Sequence, residues 1–158
     1  MLKFDTNGYL KPSGVIESSV TEMNKYLVTP MDSELRNAHF HQYSQYSKKL
    51  KALTGEPKIR QWVNGSFVTQ KRNPKDIDIV TFIDHKKVKE LGAALDEFRN
   101  GAWERHGVDA YIITTFPESN KHHFNYQSDC GYWLDKFGGT RRDRSGKKHS
   151  KGFLEIFY

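Results

Sequence analysis

The spacing of apolar positions predicts alternating helices and short strands along most of the chain. Apolar and aromatic residues recur at three- and four-residue steps over residues 32–53, 88–98 and 119–137, which predicts three amphipathic helices. Ser19 and Glu22 have the spacing of a capping box and predict a shorter helix that ends near Val28. β-Branched and aromatic runs predict strands over residues 59–63, 76–83, 109–113 and 153–158. This order predicts an α/β (α+β) fold, a small mixed sheet of about four to five strands with helices packed over it.

The same periodicity predicts which helical side chains lie in the core. Leu35 begins the apolar stripe of the helix over residues 32–53, and Phe124 begins that of the helix over residues 119–137. No repeat or linker divides the chain, so a single domain over residues 1–158 is expected. Within it we expect an N-terminal helical segment over residues 1–57, a core over residues 58–115, and a C-terminal helix, basic loop and strand over residues 116–158.

Composition narrows the class of protein. No stretch approaches the roughly 20 apolar residues of a membrane span, and the first residues lack the apolar core of a signal peptide. Cys130 is the only cysteine, so the chain forms no internal disulfide, which suits a reducing compartment. We therefore expect a cytoplasmic protein without a membrane partner.

The positive charge is concentrated in one segment. The chain carries a formal net charge of +6. Residues 136–151 contain seven Lys or Arg and only Asp143 as an acidic residue, so this segment alone accounts for that excess. Its glycines and serines predict a flexible loop, whose cations either contact the phosphates of a nucleotide or an RNA or stay solvated. The segment lacks the interleaved aromatic residues that stack single-stranded bases, which disfavours RNA.

A turn and a pair of carboxylates on consecutive predicted strands carry the candidate chemistry. Gly65 permits a tight turn and the close approach of a ligand, and Ser66 begins a predicted short helix over residues 67–71 whose amides favour phosphate oxygens. Lys71 and Lys75 follow near the same place, and either is a candidate phosphate contact. Taken separately, a Gly-Ser turn and an Asp-x-Asp strand end are common features of protein surfaces; their combination is specific.

Asp76 and Asp78 are two residues apart on a predicted strand, so their carboxylates face the same side. Two like charges held this close are tolerated where a cation or a shared proton offsets them. Magnesium is a hard cation that one or two carboxylates plus substrate phosphates usually bind, and manganese is the alternative. Asp109 heads another apolar strand, where a carboxylate is costly unless paired, capped or exposed.

The pattern Gly65-Ser66, nine intervening residues and Asp76-Ile77-Asp78 resembles the nucleotidyltransferase superfamily, which includes DNA polymerase β and the minimal nucleotidyltransferases of toxin–antitoxin pairs. The chain is most similar to a bacterial nucleotidyltransferase-like family without an assigned substrate. The resemblance implies a polymerase β-like fold and a third carboxylate on a later strand, the place that Asp109 occupies. With three carboxylates, two metal ions about 3.5–4 Å apart can clamp the attacking and leaving oxygens of an in-line displacement.

The resemblance implies a magnesium-dependent enzyme that transfers a nucleoside monophosphate from a nucleoside triphosphate to an acceptor hydroxyl. Small molecules, proteins and RNA remain open as acceptors. The alternative is a nucleotidyltransferase-like antitoxin or regulator that binds a protein partner such as a toxin with little catalysis. A metal-dependent nuclease would share the carboxylates but would not need the Gly-Ser turn.

Overall fold

The computed structural model describes residues 1–158 as a mixed five-stranded sheet with helices on both faces, and a separate two-stranded ribbon. The strands are β1 (Lys3–Phe4), β2 (Leu10–Lys11), β3 (Gly14–Ser18), β4 (Arg60–Asn64), β5 (Asp78–Asp84), β6 (Asp109–Thr115) and β7 (Gly152–Phe157). The helices are α1 (Val20–Leu27), α2 (Glu34–Thr54), α3 (His85–Leu91), α4 (Ala102–His106) and α5 (His123–Phe137). The mixed α/β class expected from the sequence is confirmed.

The main sheet has the strand order β3-β7-β4-β5-β6. Strand β4 lies antiparallel to both β5 and β7, whereas the outer pairs β3–β7 and β5–β6 are parallel. One face of the sheet packs against α1 and α2 through a large apolar cluster that includes Met23, Tyr43 and Leu50. The other face packs against α5 through a smaller cluster that includes Trp62, Trp133 and Phe153. The sheet is therefore the middle layer of three.

Capping residues set the ends of the two N-terminal helices where the sequence predicts them. The Ser19 hydroxyl accepts a hydrogen bond from the Glu22 amide at 3.1 Å, as a capping box requires. Helix α2 begins after Ser33 and ends at Gly55, whose φ of 70° lies in the left-handed region that favours glycine. No helix of the structure has the length and apolar character needed to cross a membrane.

The N-terminal segment is not purely helical, contrary to the expectation for residues 1–57. Strands β1 and β2 have two residues each and are too short to show a period, and β3 is an edge strand that buries little. Strand β3 pairs with β7, which lies at the other end of the chain, so its place in the sheet depends on a partner that local sequence cannot reveal.

The helices differ from the expectation in three respects. The helix expected over residues 88–98 divides into α3 and a 3-10 helix, Gly92–Phe98, because Gly92 adopts a φ of 51°. The five residues of α4 are too few to show a helical period. Leu35 and Phe124 are 50% and 75% exposed, and Arg36 rather than Leu35 begins the buried stripe of α2.

Candidate functional site

The seven residues that the sequence singled out line a single cleft of about 1040 Å³ at the end of the sheet where β4 stops and β5 and β6 begin. Small-molecule sites typically occupy about 300–1,000 Å³, so this cleft is at the upper end of that range. The residues are Gly65, Ser66, Lys71, Lys75, Asp76, Asp78 and Asp109.

Strand pairing places three polar residues in one row across the sheet. Asp78 is in register with Asn64 of β4 and with Asp109 of β6. Residues in register on neighbouring strands project from the same face. Asp76 precedes the first residue of β5 rather than lying within the strand, yet it lines the same cleft as Asp78. The row thus brings polar oxygens from three elements to one end of the sheet.

The turn at Gly65 packs directly against Asp76. Gly65 has a φ of 82°, and a Cβ added there would lie 2.8 Å from the Asp76 carbonyl oxygen. Both the backbone conformation and the lack of space therefore require glycine. The sequence predicted the tight turn, and on the side where a Cβ would lie the glycine permits the close approach of Asp76 of the same chain.

Ser66 binds Asp76 instead of presenting free donors to the cleft. Its amide and its hydroxyl donate to the same Asp76 oxygen, Oδ1, at 2.7 and 2.8 Å. The Ser66 hydroxyl in turn accepts from the amide of Lys75 at 2.7 Å. The helix expected over residues 67–71 is a single 3-10 turn, Ser66–Val68, and the amides of Ser66 and Phe67 at its start donate to Asp76. The serine thus fixes the Asp76 carboxylate.

The environments of the two carboxylates move their pKa values in opposite directions. Burial works against ionisation of Asp76, but the hydrogen bonds from Ser66 and the nearby cations Arg141 and Lys151 leave its pKa below the ordinary value. Burial, followed by repulsion from Asp76 and Asp109, raises the pKa of Asp78 to about 6. A cation beside Asp78 would therefore stabilise the ionised form of its carboxylate.

Asp109 is more exposed than the other two carboxylates. Its side chain is exposed, and its Oδ1 accepts a hydrogen bond from the Tyr111 hydroxyl at 3.3 Å. Burial, with the nearby charges of Asp109 and Asp78, raises the pKa of Tyr111 to about 12, so this phenol stays a donor at neutral pH. Asp109 thus lines the cleft at a point that solvent reaches.

The donor set suits a hard divalent cation, although the carboxylates do not converge on one point. No group of three or more His, Cys, Asp or Glu side chains is arranged to hold a metal ion. The ion pairs of the structure involve other acidic residues, so no Lys, Arg or His nitrogen neutralises these carboxylates directly. The amide oxygen of Asn64, in the same row, is buried without a hydrogen-bond donor. Asp76 and Asp78 are therefore the residues that fit magnesium.

Arg36 is a buried residue of the site region that sequence reasoning missed. Its guanidinium lies at 0% exposure and donates to carbonyl oxygens of Leu27 and of the segment 67–71, including that of Lys71. These bonds hold the backbone that follows the Gly-Ser turn. Its position three residues before His39, on the buried face of α2, is the signal that could have identified it. Lys71 and Lys75 themselves are exposed and lie on the rim of the cleft.

Lys151 was counted in the sequence only as one cation of the basic segment. The structure buries it to 6% exposure in the wall of the cleft, where its Nζ donates to the Gly65 carbonyl oxygen at 3.3 Å. Nothing in the local sequence marks it, because Gly65 lies 86 positions earlier in the chain.

The basic segment, which the sequence predicts to be a flexible loop, forms a hydrogen-bonded hairpin. The amide of Thr140 donates to the His149 carbonyl oxygen at 2.8 Å, and that of Lys151 donates to the Gly138 carbonyl oxygen at 2.9 Å. At its tip, Asp143 accepts hydrogen bonds from the amide and hydroxyl of Ser145. We call residues 138–151 the basic hairpin. It forms one wall of the cleft, because Arg141, Lys148 and Lys151 all line that space.

Comparison with known proteins places the chain in a family. The model of DUF6932, a family of unknown function, matches residues 2–157, so the chain belongs to that family. No curated protein and no solved structure matches the chain.

Proposed function

We propose that this member of the DUF6932 family is a magnesium-dependent nucleotidyltransferase that transfers a nucleoside monophosphate from a nucleoside triphosphate to an acceptor hydroxyl. One observation carries the proposal. The Gly65-Ser66 turn holds the carboxylate of Asp76 by two hydrogen bonds next to the half-buried Asp78, in a cleft that Asp109 also lines.

The arrangement of strands supports a polymerase β-like fold. The turn and the first two carboxylates belong to the antiparallel pair β4–β5, and Asp109 begins the neighbouring parallel strand β6. This is the placement that the resemblance of the sequence to the nucleotidyltransferase superfamily implies. The structure adds a strand pair, β3–β7, on the far side of β4.

The reaction needs little covalent chemistry from the protein. The acceptor oxygen forms a bond to the α-phosphorus, the bond from that phosphorus to the bridging oxygen breaks, and pyrophosphate leaves with the electron pair. Magnesium held by Asp76 and Asp78 would supply positive charge for the phosphate oxygens. Catalysis then consists mainly of positioning and electrostatic stabilisation.

The chain's own residues have distinct parts in this account. Ser66 keeps the Asp76 carboxylate ionised and oriented. The cations along the walls of the cleft bind the triphosphate. Asp109 lines the cleft at a point that solvent reaches, where it orients the acceptor hydroxyl and accepts its proton.

The test is transfer of label from a triphosphate to an acceptor. The pure protein is incubated with magnesium, cell lysate and each of the common nucleoside triphosphates, labelled in turn at the α or the γ phosphate. We expect one α-labelled triphosphate to label a discrete molecule with the wild type alone, and the γ-labelled form to add no label beyond that seen with Asp78→Asn protein. Asp78→Asn protein is the matched control, because the lysate contains other transferases.

The two labels distinguish the reaction classes. Transfer of the γ label by the wild type in excess of the Asp78→Asn control would show phosphoryl transfer and contradict the proposal. Equal labelling by the wild type and by Asp78→Asn protein would also contradict it, and would favour the binding-protein alternative. The molecule that becomes labelled identifies the acceptor as a small molecule, a protein or an RNA.

A further inference from the structure

Lys151 occupies a fixed position between the basic hairpin and the sheet. It immediately precedes β7, and its backbone is held on both sides. Its amide donates to the Gly138 carbonyl oxygen at 2.9 Å, and its carbonyl oxygen accepts from the Gly14 amide at 3.2 Å. The side chain therefore starts from a rigid backbone rather than from a free loop.

The ammonium group of Lys151 is buried without an anionic partner. Its only hydrogen bond goes to the Gly65 carbonyl oxygen, although an ammonium group has three N–H donors. No carboxylate oxygen lies within ion-pair distance of it. A buried cation with unused donors needs acceptors from water or from a ligand. Because Lys151 lines the cleft beside the Gly-Ser turn, an anionic ligand in the cleft can replace water as its partner.

The two lysines that the sequence favoured as phosphate contacts are less suited to the task. Lys71 and Lys75 are exposed at the rim, and neither side chain makes a hydrogen bond or an ion pair. An exposed lysine loses rotamer freedom when it binds, and solvent screens its charge. Lys151 has already lost that freedom in folding, so less of its interaction energy is spent on ordering.

We propose that Lys151 is a principal phosphate-binding residue of this cleft and donates its unused N–H groups to the polyphosphate of the substrate. The inference rests on the proposed function, because it takes the polyphosphate to be that of a nucleoside triphosphate. Burial lowers the pKa of Lys151 to about 8, while Asp78 and Asp76 work in the opposite direction, so the ammonium form predominates at neutral pH. A bound polyphosphate would favour that charged form further.

The probe is inorganic tripolyphosphate with magnesium, which isolates the phosphate contacts from those to a base. Calorimetric titration compares the wild type with Lys151→Met, Lys71→Met and Lys75→Met proteins. We expect Lys151→Met to weaken binding about 10- to 100-fold, as for a lost hydrogen bond to a charged group. Each rim variant should weaken it by less than about fivefold, as for an exposed ion pair. Unchanged affinity in Lys151→Met protein, or a larger loss in a rim variant, would overturn the inference.

A second readout separates phosphate binding from a structural role in holding Gly65. Manganese alone, titrated by electron paramagnetic resonance, should bind Lys151→Met protein at least as tightly as the wild type, because a cation near Asp76 and Asp78 has been removed. If Lys151 served only to hold the turn, its loss would displace Asp76 and weaken manganese binding as well. Weaker manganese binding together with weaker tripolyphosphate binding would therefore contradict the inference.

A third measurement uses the wild-type protein, in case Lys151→Met protein does not fold. Amine-reactive labelling is followed at each lysine by mass spectrometry, with and without magnesium tripolyphosphate. We expect tripolyphosphate to protect Lys151 more strongly than Lys71 or Lys75 in the same sample. Equal labelling of Lys151 in both conditions would overturn the inference. Failure of the wild type to bind magnesium tripolyphosphate would contradict the proposed function itself, whereas binding that is indifferent to Lys151 would contradict only this inference.

Discussion

Ser66 donates two hydrogen bonds to one carboxylate oxygen of Asp76, from its amide at 2.7 Å and from its hydroxyl at 2.8 Å. The Asp76 carbonyl oxygen also accepts from the Phe67 amide at 3.2 Å, so the turn and the residue before β5 form one unit. Ser66 thus contacts the Asp76 carboxylate directly, and it would act on a bound ligand through that carboxylate. The other carboxylate oxygen, Oδ2, accepts no hydrogen bond from the protein and is free to bind a cation.

The hydroxyl of Ser66 is expected to stabilise the fold as well as the site. Ser66→Ala protein loses the hydroxyl bond to Asp76 and the acceptor for the Lys75 amide, which we expect to cost about 1–3 kcal/mol of unfolding free energy. Urea unfolding measures this cost. Ser13→Ala is the control, because Ser13 is exposed and its hydroxyl makes no hydrogen bond, so its change should stay within about 0.5 kcal/mol. Equal effects of the two substitutions would contradict the role given to Ser66.

Comparing two glycines with nearly the same φ distinguishes the cost of the backbone conformation from the cost of packing an added methyl group. Gly65 and Gly146 have φ values of 82° and 79°, but a Cβ would meet Asp76 at 2.8 Å in the first case and nothing within 4 Å in the second. Gly146→Ala should cost about 1–2 kcal/mol for the left-handed backbone alone. Gly65→Ala should cost about 1–3 kcal/mol more, because the new methyl group displaces Asp76. Thermal and urea unfolding compare them, and similar losses would mean that the Gly65–Asp76 contact is loose.

The raised pKa of Asp78 predicts a dependence of stability on pH. The folded-state pKa of about 6 exceeds the unfolded value of about 3.9, so this group's stabilising contribution is complete below about pH 4 and is lost as the pH rises through 6. Asp78→Asn removes the effect. Without metal, the unfolding free energy of Asp78→Asn protein should increase relative to that of the wild type between pH 4 and pH 7. The difference should reach about 2–3 kcal/mol at pH 7. Urea unfolding across that range checks this, and a constant difference would contradict it.

At pH 7, magnesium should make the wild type more stable than Asp78→Asn protein. A cation that binds the ionised Asp78 stabilises the wild-type fold and not the Asp78→Asn fold. The stabilisation by magnesium should fade as the pH falls below 6, because protonated Asp78 no longer attracts the cation. Equal stabilisation of both proteins by magnesium would place the cation elsewhere.

The sequence predicted the parts of the site that are close along the chain. Gly65, Ser66, Asp76 and Asp78 belong to two consecutive strands and the segment between them, where local pattern and turn chemistry determine the structure. The contacts of Arg36 and Lys151 cross 31 and 86 positions of sequence, and no period or motif connects such residues. Strand β3 was missed for the same reason, because its only partner is β7.

The corrected shape of the basic segment bears on the choice of acceptor. In the basic hairpin, Arg142 donates to the Gly146 carbonyl oxygen at 2.9 Å, and the Lys148 Nζ lies 3.6 Å from an Asp135 carboxylate oxygen. Two of the cations of the basic hairpin therefore already have partners within the protein. We therefore expect only weak RNA binding at physiological salt. Tight binding, with a slope of log affinity against log salt of about −0.7 per phosphate contacted, would contradict this expectation.

Two triple variants make that test specific. Arg141, Arg142 and Arg144 are replaced by Ala in one, and the exposed Lys48, Lys49 and Lys89, which do not line the cleft, are replaced in the other. Both lose the same charge. Weak, non-specific binding should fall equally in the two, whereas a larger fall and a slope flattened by about two in the arginine variant would identify the hairpin as an RNA site.

The most direct test of the account is calorimetric titration of nucleoside triphosphates into the protein, with magnesium and with a chelator. We expect at least one triphosphate to bind the wild type in the presence of magnesium. The affinity should fall at least tenfold when magnesium is chelated, and also in each of the Asp76→Asn and Asp78→Asn proteins with magnesium present. Asp109→Asn is the matched control, because it removes the same charge from the same cleft and should keep the affinity within about tenfold while abolishing transfer. Triphosphate affinity that is independent of magnesium and unchanged in Asp76→Asn and Asp78→Asn proteins would contradict the central claim.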